Sequence, residues 1–465
     1  MQETKNTSKN INKKKISFFL TIIIPIIIYL IPIPNIYGHA KLTLCILAIA
    51  AILWITEAIP LHATAFVIVI LTNLFGILTP TDALAPFFSP VIALLLGGFV
   101  ISIAIHKYGL GERASKYMLT HTGTNPKFVL LGLILTTAFL SFWMSNTATT
   151  AIMLVSILPI ISKIPKGDPF KKAMILGIPF AANAGGIGTP VGTPPNPIAI
   201  SYLHQIGIEI DFLKWMILTL PLVIVFLLLI WKILLLMYPP TIKNFKAIEM
   251  QINNSNGGDN GNGKKKFNKN ELFVLGIFLS TVILWLTGTI HGISISIIAL
   301  MPVVVFLGSN ILTHDDFNQV QWEILLLIGG GLTLSNAIQA SGLGCLIINK
   351  IDVYGLPIPF IILLFAGVGI FMTTFMSNTA TAALLIPIIG DVGYQINATA
   401  PLVLSIAIGT SMAMALPVST APNAIAYGTG EIELKDMIKT GAVISIAALI
   451  LISTLGFLWF EFIGI

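Results

Sequence analysis

The chain has 465 residues, of which 56% are hydrophobic and only 9% charged, and its mean hydropathy is +0.94. A water-soluble domain carries about a quarter charged residues, so lipid, not water, must solvate most of a 50.0 kDa body of this composition. The net charge of +6 does not require nucleic acid, because the lysines lie between apolar runs, where a membrane protein keeps them.

The N-terminal head is basic (Lys5, Lys9, Lys13, Lys14, Lys15), and an apolar run from Ser17 to Ile33 follows. That run contains Pro25 and is long for the apolar part of a cleaved leader, so it reads as a retained first span. Apolar runs of about 20 residues predict eleven spans in all, near 17–34, 41–59, 62–78, 90–106, 171–203, 212–237, 272–290, 293–311, 322–347, 399–429 and 438–462. Two further apolar segments, 128–161 and 357–389, each carry Ser-Asn-Thr at their centre. In the second, about a dozen residues separate the triplet from Gly390-Asp391, or about 18 Å of helix against a hydrocarbon core of about 30 Å. It is expected to enter and leave by the same face, and 128–161 takes the same re-entrant shape from its matching triplet. The stretch 239–271 is polar and rich in Asn and Gly, then in lysine, as a flexible connector would be. Within it, Gly258 to Lys264 mimics a phosphate-binding loop, but Lys265 stands where a Ser or Thr is needed. Cys45 and Cys345 sit in apolar runs and read as core residues. The histidines fall at or near predicted span ends and read as interfacial.

With the basic head on the cytoplasmic side, this span count puts 22 of the 25 basic residues on or beside cytoplasmic segments; Lys41, Lys214 and Lys350 are the exceptions. The bias supports eleven spans plus two hairpins. It sets the chain in the cell membrane with the 239–271 connector inside and the C-terminus outside.

The chain also repeats itself. Trp54-Ile55-Thr56 returns as Trp285-Leu286-Thr287, Gly97-Gly98 as Gly330-Gly331, and Gly109-Leu110-Gly111 as Gly342-Leu343-Gly344. Ser145 to Thr149 returns as Ser377 to Thr381, and Pro190 to Asn196 as Pro417 to Asn423. The offset stays between 227 and 234 throughout. Each copy holds five spans and one hairpin. Five is odd, so the copies are expected to be inverted in the membrane. The predicted division is 1–38 for the tail and first span, 39–238 for the first repeat, 239–271 for the linker and 272–465 for the second repeat.

Two kinds of helix break recur once per repeat. One is the Ser-Asn-Thr tip. The other is the glycine and proline cluster at 185–195, matched by Pro417 and Pro422. Proline removes a donor and clashes with the preceding turn, and open backbone at membrane depth is tolerated only in protein or beside water. The freed carbonyls and hydroxyls are hard oxygen ligands suited to sodium, and the half-helix N-termini favour an anion. A single Ser-Asn-Thr is an ordinary helix cap; its doubling, with two broken helices, points to one shared site. No Asp, Glu, Lys, Arg or His lies within 141–161, 173–203, 360–389 or 398–430. Proton-coupled carriers place titratable groups there, so sodium is the expected coupling ion. No organic cofactor is expected. An enzyme is disfavoured, because the sequence holds no His-Glu-x-x-His and no Gly-x-Ser-x-Gly.

The paired tips at 145–147 and 377–379, with Thr193-Pro194-Pro195-Asn196 and Thr420-Ala421-Pro422-Asn423, resemble the divalent anion/sodium symporters, a family of dicarboxylate, citrate and sulfate carriers. The resemblance runs from about residue 40 to the end. It implies a homodimer in which a transport domain moves as an elevator against a scaffold. It implies one sodium site at Ser141, Ser145, Asn146 and the backbone of Gly192, and another at Thr373, Asn378 and the backbone of Met376 and Ser419. Substrate would lie among Asn146, Thr147, Thr193, Ser377, Asn378, Thr379 and Thr420. A C4-dicarboxylate (succinate, fumarate or malate) is the expected cargo. Sulfate, citrate, tartrate and sodium-independent exchange are the alternatives.

Overall fold

The computed structural model describes residues 2–162, 164–165, 167–242, 267–348 and 355–465, so most of the 239–271 linker lies outside the described residues. Helices α1 (Gln2–Leu30), α2 (Gly38–Thr56), α3 (Leu61–Leu74), α4 (Pro90–Lys107) and α5 (Leu110–His121) lead into a helical hairpin, α6 (Pro126–Ser141) and α7 (Asn146–Ile161). A helix broken in its middle follows, as α8 (Phe170–Gly186) and α9 (Pro195–Gln205), and then α10 (Phe212–Met237). The second half runs α11 (Lys269–Leu286), α12 (Ile295–Gly308), α13 (Trp322–Ser341) and the short α14 (Leu343–Ile348). A second hairpin, α15 (Ile358–Thr373) and α16 (Asn378–Gln395), precedes a second broken helix, α17 (Thr399–Thr410) and α18 (Ala421–Gly428). The last helix, α19 (Leu434–Leu451), passes through a π turn at Ile452–Gly456 into α20 (Phe457–Ile463). No strand occurs among the described residues.

Local chemistry explains the boundaries. Asn125 and Asp211 accept backbone N–H bonds at the starts of α6 and α10, and Asn268 forms a reciprocal capping box with Glu271 at α11. The chain turns after α4 and α13 at Gly109 and Gly342, both at positive φ, which glycine adopts without strain. Among the described residues, six helices are long and apolar enough to cross a membrane. Helices α3 and α12 have 14 residues each, about 21 Å at 1.5 Å per residue, shorter than the runs 62–78 and 293–311 implied.

The second hairpin corrects one expectation. Its returning arm does not stop at Gly390-Asp391 but continues to Gln395, giving 18 residues, or about 27 Å. Polar Asp391 is accommodated because it accepts a 2.8 Å bond from the Tyr202 hydroxyl and lies against Gly344, where any Cβ would collide with it. The returning arm is therefore longer than the expected length of about 18 Å, and still shorter than a hydrocarbon core of about 30 Å.

The two halves interlock reciprocally. Helix α4 packs on α12, and its repeat counterpart α13 packs on α3. Both contacts depend on glycine: a Cβ on Gly97 would overlap the Ala299 carbonyl, and one on Gly330 would overlap Ala65. Several predicted cytoplasmic segments meet at shared ends. Lys107 pairs with Asp316 at 2.6 Å, Arg113 with Glu271 at 2.8 Å and Lys172 with Asp436 at 2.8 Å. The Thr241 hydroxyl donates to Asp168 at 2.6 Å.

The reciprocal packing yields a test. Gly97→Ala and Gly330→Ala should each destabilise the purified protein by about 1–3 kcal/mol through overpacking, read as a lower melting temperature in detergent. Gly276→Ala, where the new methyl meets open space, should leave the melting temperature unchanged.

Candidate functional site

Each hairpin tip is built the same way. The Ser145 hydroxyl oxygen accepts the Ala148 N–H at 3.3 Å, and Ser377 accepts the Ala380 N–H at 3.1 Å, so both serines are helix caps. Behind each cap a buried hydroxyl sits among acceptor oxygens. Ser141 Oγ lies 2.6 Å from Asn146 Oδ1 and 2.8 Å from the Ala182 carbonyl. Thr373 Oγ1 lies 2.7 Å from Asn378 Oδ1 and 3.1 Å from the Thr410 carbonyl. Each hydroxyl has one proton for two acceptors, so each cluster holds one more close oxygen pair than its proton can satisfy. That is a donor set suited to a small hard cation.

The broken helices are held open by asparagines. Between α8 and α9, Asn196 Nδ2 donates to the carbonyls of Gly186 at 2.9 Å and Thr189 at 2.8 Å. Between α17 and α18, Asn423 Nδ2 donates to the Leu416 carbonyl at 3.2 Å and to Ser419 Oγ at 3.0 Å. These bonds replace the helical partners that the breaks remove, as buried backbone requires. Tip and break touch at Gly186, where a Cβ would stand 2.5 Å from Asn146 Oδ1; only glycine permits the approach. Asn183 of α8 ties the two breaks together, donating to Thr420 Oγ1 and Asn423 Oδ1, both at 3.3 Å.

The tips and breaks enclose a cavity of about 270 Å³. Asn146, Thr147, Thr193, Ser377, Asn378, Thr379 and Thr420 all line it, together with Ser145, Gly192 and Ser419. Ser141 and Thr373 are fully buried behind the tips, and Met376 is buried within the second tip. Sequence reasoning missed Asn183, whose only signal was a lone amide in an apolar run. It also missed Gln321 and Glu57, which line the cavity from elements outside the tips and breaks. Glu57 tempers the expectation of a site without titratable groups: the four segments lack them, but a neighbouring helix end supplies one.

One side of the first tip is clasped by aromatics. Trp143 stacks on Phe212 at 6.3 Å, Phe212 stacks on Trp285 at 4.8 Å, and Phe278 meets Trp143 edge-on at 5.4 Å. The matching residue of the second tip, Phe375, is 58% exposed.

The sequence model described as "Sodium:sulfate symporter transmembrane region" matches residues 12–465. The chain belongs to this family. It is a membrane transporter of the sodium-coupled anion class, not an enzyme. Among its relatives, an uncharacterised transporter of Haemophilus influenzae is 32% identical over 441 residues, covering 90% of this chain and 91% of that protein. The sodium-dependent dicarboxylate transporter SdcS of Staphylococcus saprophyticus is also 32% identical, over 435 residues, covering 86% of this chain and 82% of its own. The crystal structure of the Alcanivorax borkumensis YdaH transporter shares the fold, with a TM-score of 0.56 and 14% identity over 92% of this chain and 98% of that one.

The asparagine clamps can be tested apart from transport. Asn196→Ala and Asn423→Ala strand buried carbonyls, at about 1–3 kcal/mol for each unsatisfied group. Both variants should melt at lower temperature than the wild type, and Asn196→Ala, which frees only carbonyls, should not be rescued by substrate.

Proposed function

We propose that this transporter is a sodium-driven symporter of a divalent anion, with a C4-dicarboxylate as cargo. The observation that carries the reading is the convergence of two tips and two broken helices on one cavity lined by amides, hydroxyls and opened backbone. In this reading Ser141, Ser145, Asn146 and the Gly192 backbone hold one sodium ion. Thr373, Asn378 and the backbone of Met376 and Ser419 hold the other. The substrate carboxylates lie between Thr147 and Thr379, with Asn146, Thr193, Ser377, Asn378 and Thr420 completing the contacts. Asn146 and Asn378 each offer an amide oxygen to a cation and an amide nitrogen to the anion, so ion and substrate binding are physically linked.

The likeness to SdcS supports a dicarboxylate. The family description supports sulfate as the second reading, because neutral Ser, Asn and Thr contacts do not encode chain length. In this reading the two repeats are inverted and give alternating access, the first clasped at its tip and the second exposed. We place the protein as an elevator-type homodimer in the cell membrane, with the ends marked by Lys107, Arg113 and Lys172 facing the cytoplasm and the C-terminus outside.

Uptake of labelled succinate into proteoliposomes should require an inward sodium gradient and persist when the proton gradient is collapsed. Competition by sulfate, citrate and tartrate then orders the substrates, and full exchange without sodium would refute symport. Asn146→Asp and Asn378→Asp keep the cation-facing oxygen but remove the donor and add negative charge, so each should abolish uptake in a folded protein. Thr147→Ala and Thr379→Ala should each weaken substrate binding a few-fold to about tenfold, the worth of one neutral hydrogen bond. Near-normal uptake by both Asn→Asp proteins would reduce the tips to helix caps.

Orientation is checked separately. In a cysteine-free background, single cysteines at Lys116 and Asp315 should label only from inside, and one at Asp82 only from outside.

A further inference from the structure

We propose that Glu57 is a charge gate at one mouth of the cavity, weakening anion binding there and so favouring release toward that side. The residue follows the last turn of α2 with φ 50 and ψ 35, a left-handed conformation uncommon outside glycine. It lines the central cavity and also a second, surface cavity formed with Ala58, Pro60 and Leu61. Its carboxylate therefore stands between the site and the bulk water at that helix end. Gln321 and Ile324, at the start of α13, line the same cavity. Every other residue lining the central cavity is uncharged. Among the described residues, no hydrogen bond or ion pair engages the Glu57 side chain. The C-terminal end of the α2 dipole adds to the negative potential.

The repeat shows that this charge is one-sided. Trp54 Nε1 donates to the Leu61 carbonyl at 3.2 Å, and its counterpart Trp285 donates to the Ile295 carbonyl at 3.0 Å. The two helix ends therefore share one local design. Three residues on, Glu57 is matched by Gly288, where a Cβ would meet open space and φ is not left-handed. A bound anion is thus repelled while the cavity communicates with the Glu57 mouth, whereas the repeat counterpart, Gly288, brings no such charge. A unit charge acting on a dianion, taken at about 10 Å through an effective dielectric of about 40–80 as suits an exposed carboxylate, changes binding roughly four- to fifteen-fold.

The inference rests on the proposed carriage of a divalent anion, and its test separates the two. In membrane vesicles of defined sidedness, Glu57→Gln should lower the KM for succinate roughly four- to fifteen-fold from the Glu57 face and leave it unchanged from the other. Glu57→Asp, which keeps the charge, should behave as wild type. Gly288→Glu should raise the KM from the opposite face alone, and it carries the test independently if Glu57→Gln does not fold. Should wild-type vesicles take up no dianion with sodium, the carrier reading fails. Should wild type transport while Glu57→Gln and Gly288→Glu change neither face, or both faces equally, the gate is overturned.

Discussion

Inside a bilayer there is no water to satisfy an open peptide group, and each unsatisfied one costs several kcal/mol. Helices that break at that depth must therefore bring replacement partners with them. Here the partners are Asn196 and Asn423, each placed at the restart of its half-helix so that its amide reaches back to carbonyls of the opened turn. Everything at the site depends on those clamps. They keep the breaks open without collapse, leave other carbonyls and hydroxyls directed at the tips, and let Asn183 hold the two breaks together. Gly186 then allows Asn146 to come against the opened backbone, and Gly192 lets the far side of the break close on Gly186.

The same constraint shapes the larger assembly. Apolar side chains gain little from leaving lipid for one another, so helices in a membrane associate through close packing of small residues. The reciprocal contacts of Gly97 with Ala299 and Gly330 with Ala65 are of that kind, and each joins one half of the chain to the other. Polar ties cluster at helix ends instead. There Lys107, Arg113 and Lys172 find carboxylates in water or at the interface and fix which ends lie together.

Much of this was legible in the sequence because the decisive signals are backbone signals. Proline and glycine clusters announce a break wherever they occur, and the Ser-Asn-Thr triplet caps a helix by local chemistry. Helices α8, α9, α17 and α18 and both hairpins accordingly fall where their residues imply, and the residues chosen for the substrate line one cavity. What escaped was tertiary. Asp391 looked like the end of an apolar arm because nothing nearby in sequence reveals that Tyr202 will bond to it. Glu57 gave no signal, because its position at the cavity depends on how α2 ends relative to elements far along the chain. Asn183 could not be told from any other buried amide until its partner across the second break was known.

The aromatic clasp on the first tip makes the protein its own optical probe. Indole emission responds to the polarity and ring contacts around it, and Trp143 and Trp285 share one stack through Phe212. They belong to different elements, a hairpin tip and the end of α11. A displacement of the tip relative to that helix must part the stack and open Trp143 to a different medium. The tip movement that the proposed elevator mechanism requires would therefore be written into the intrinsic fluorescence, with no foreign dye to perturb it.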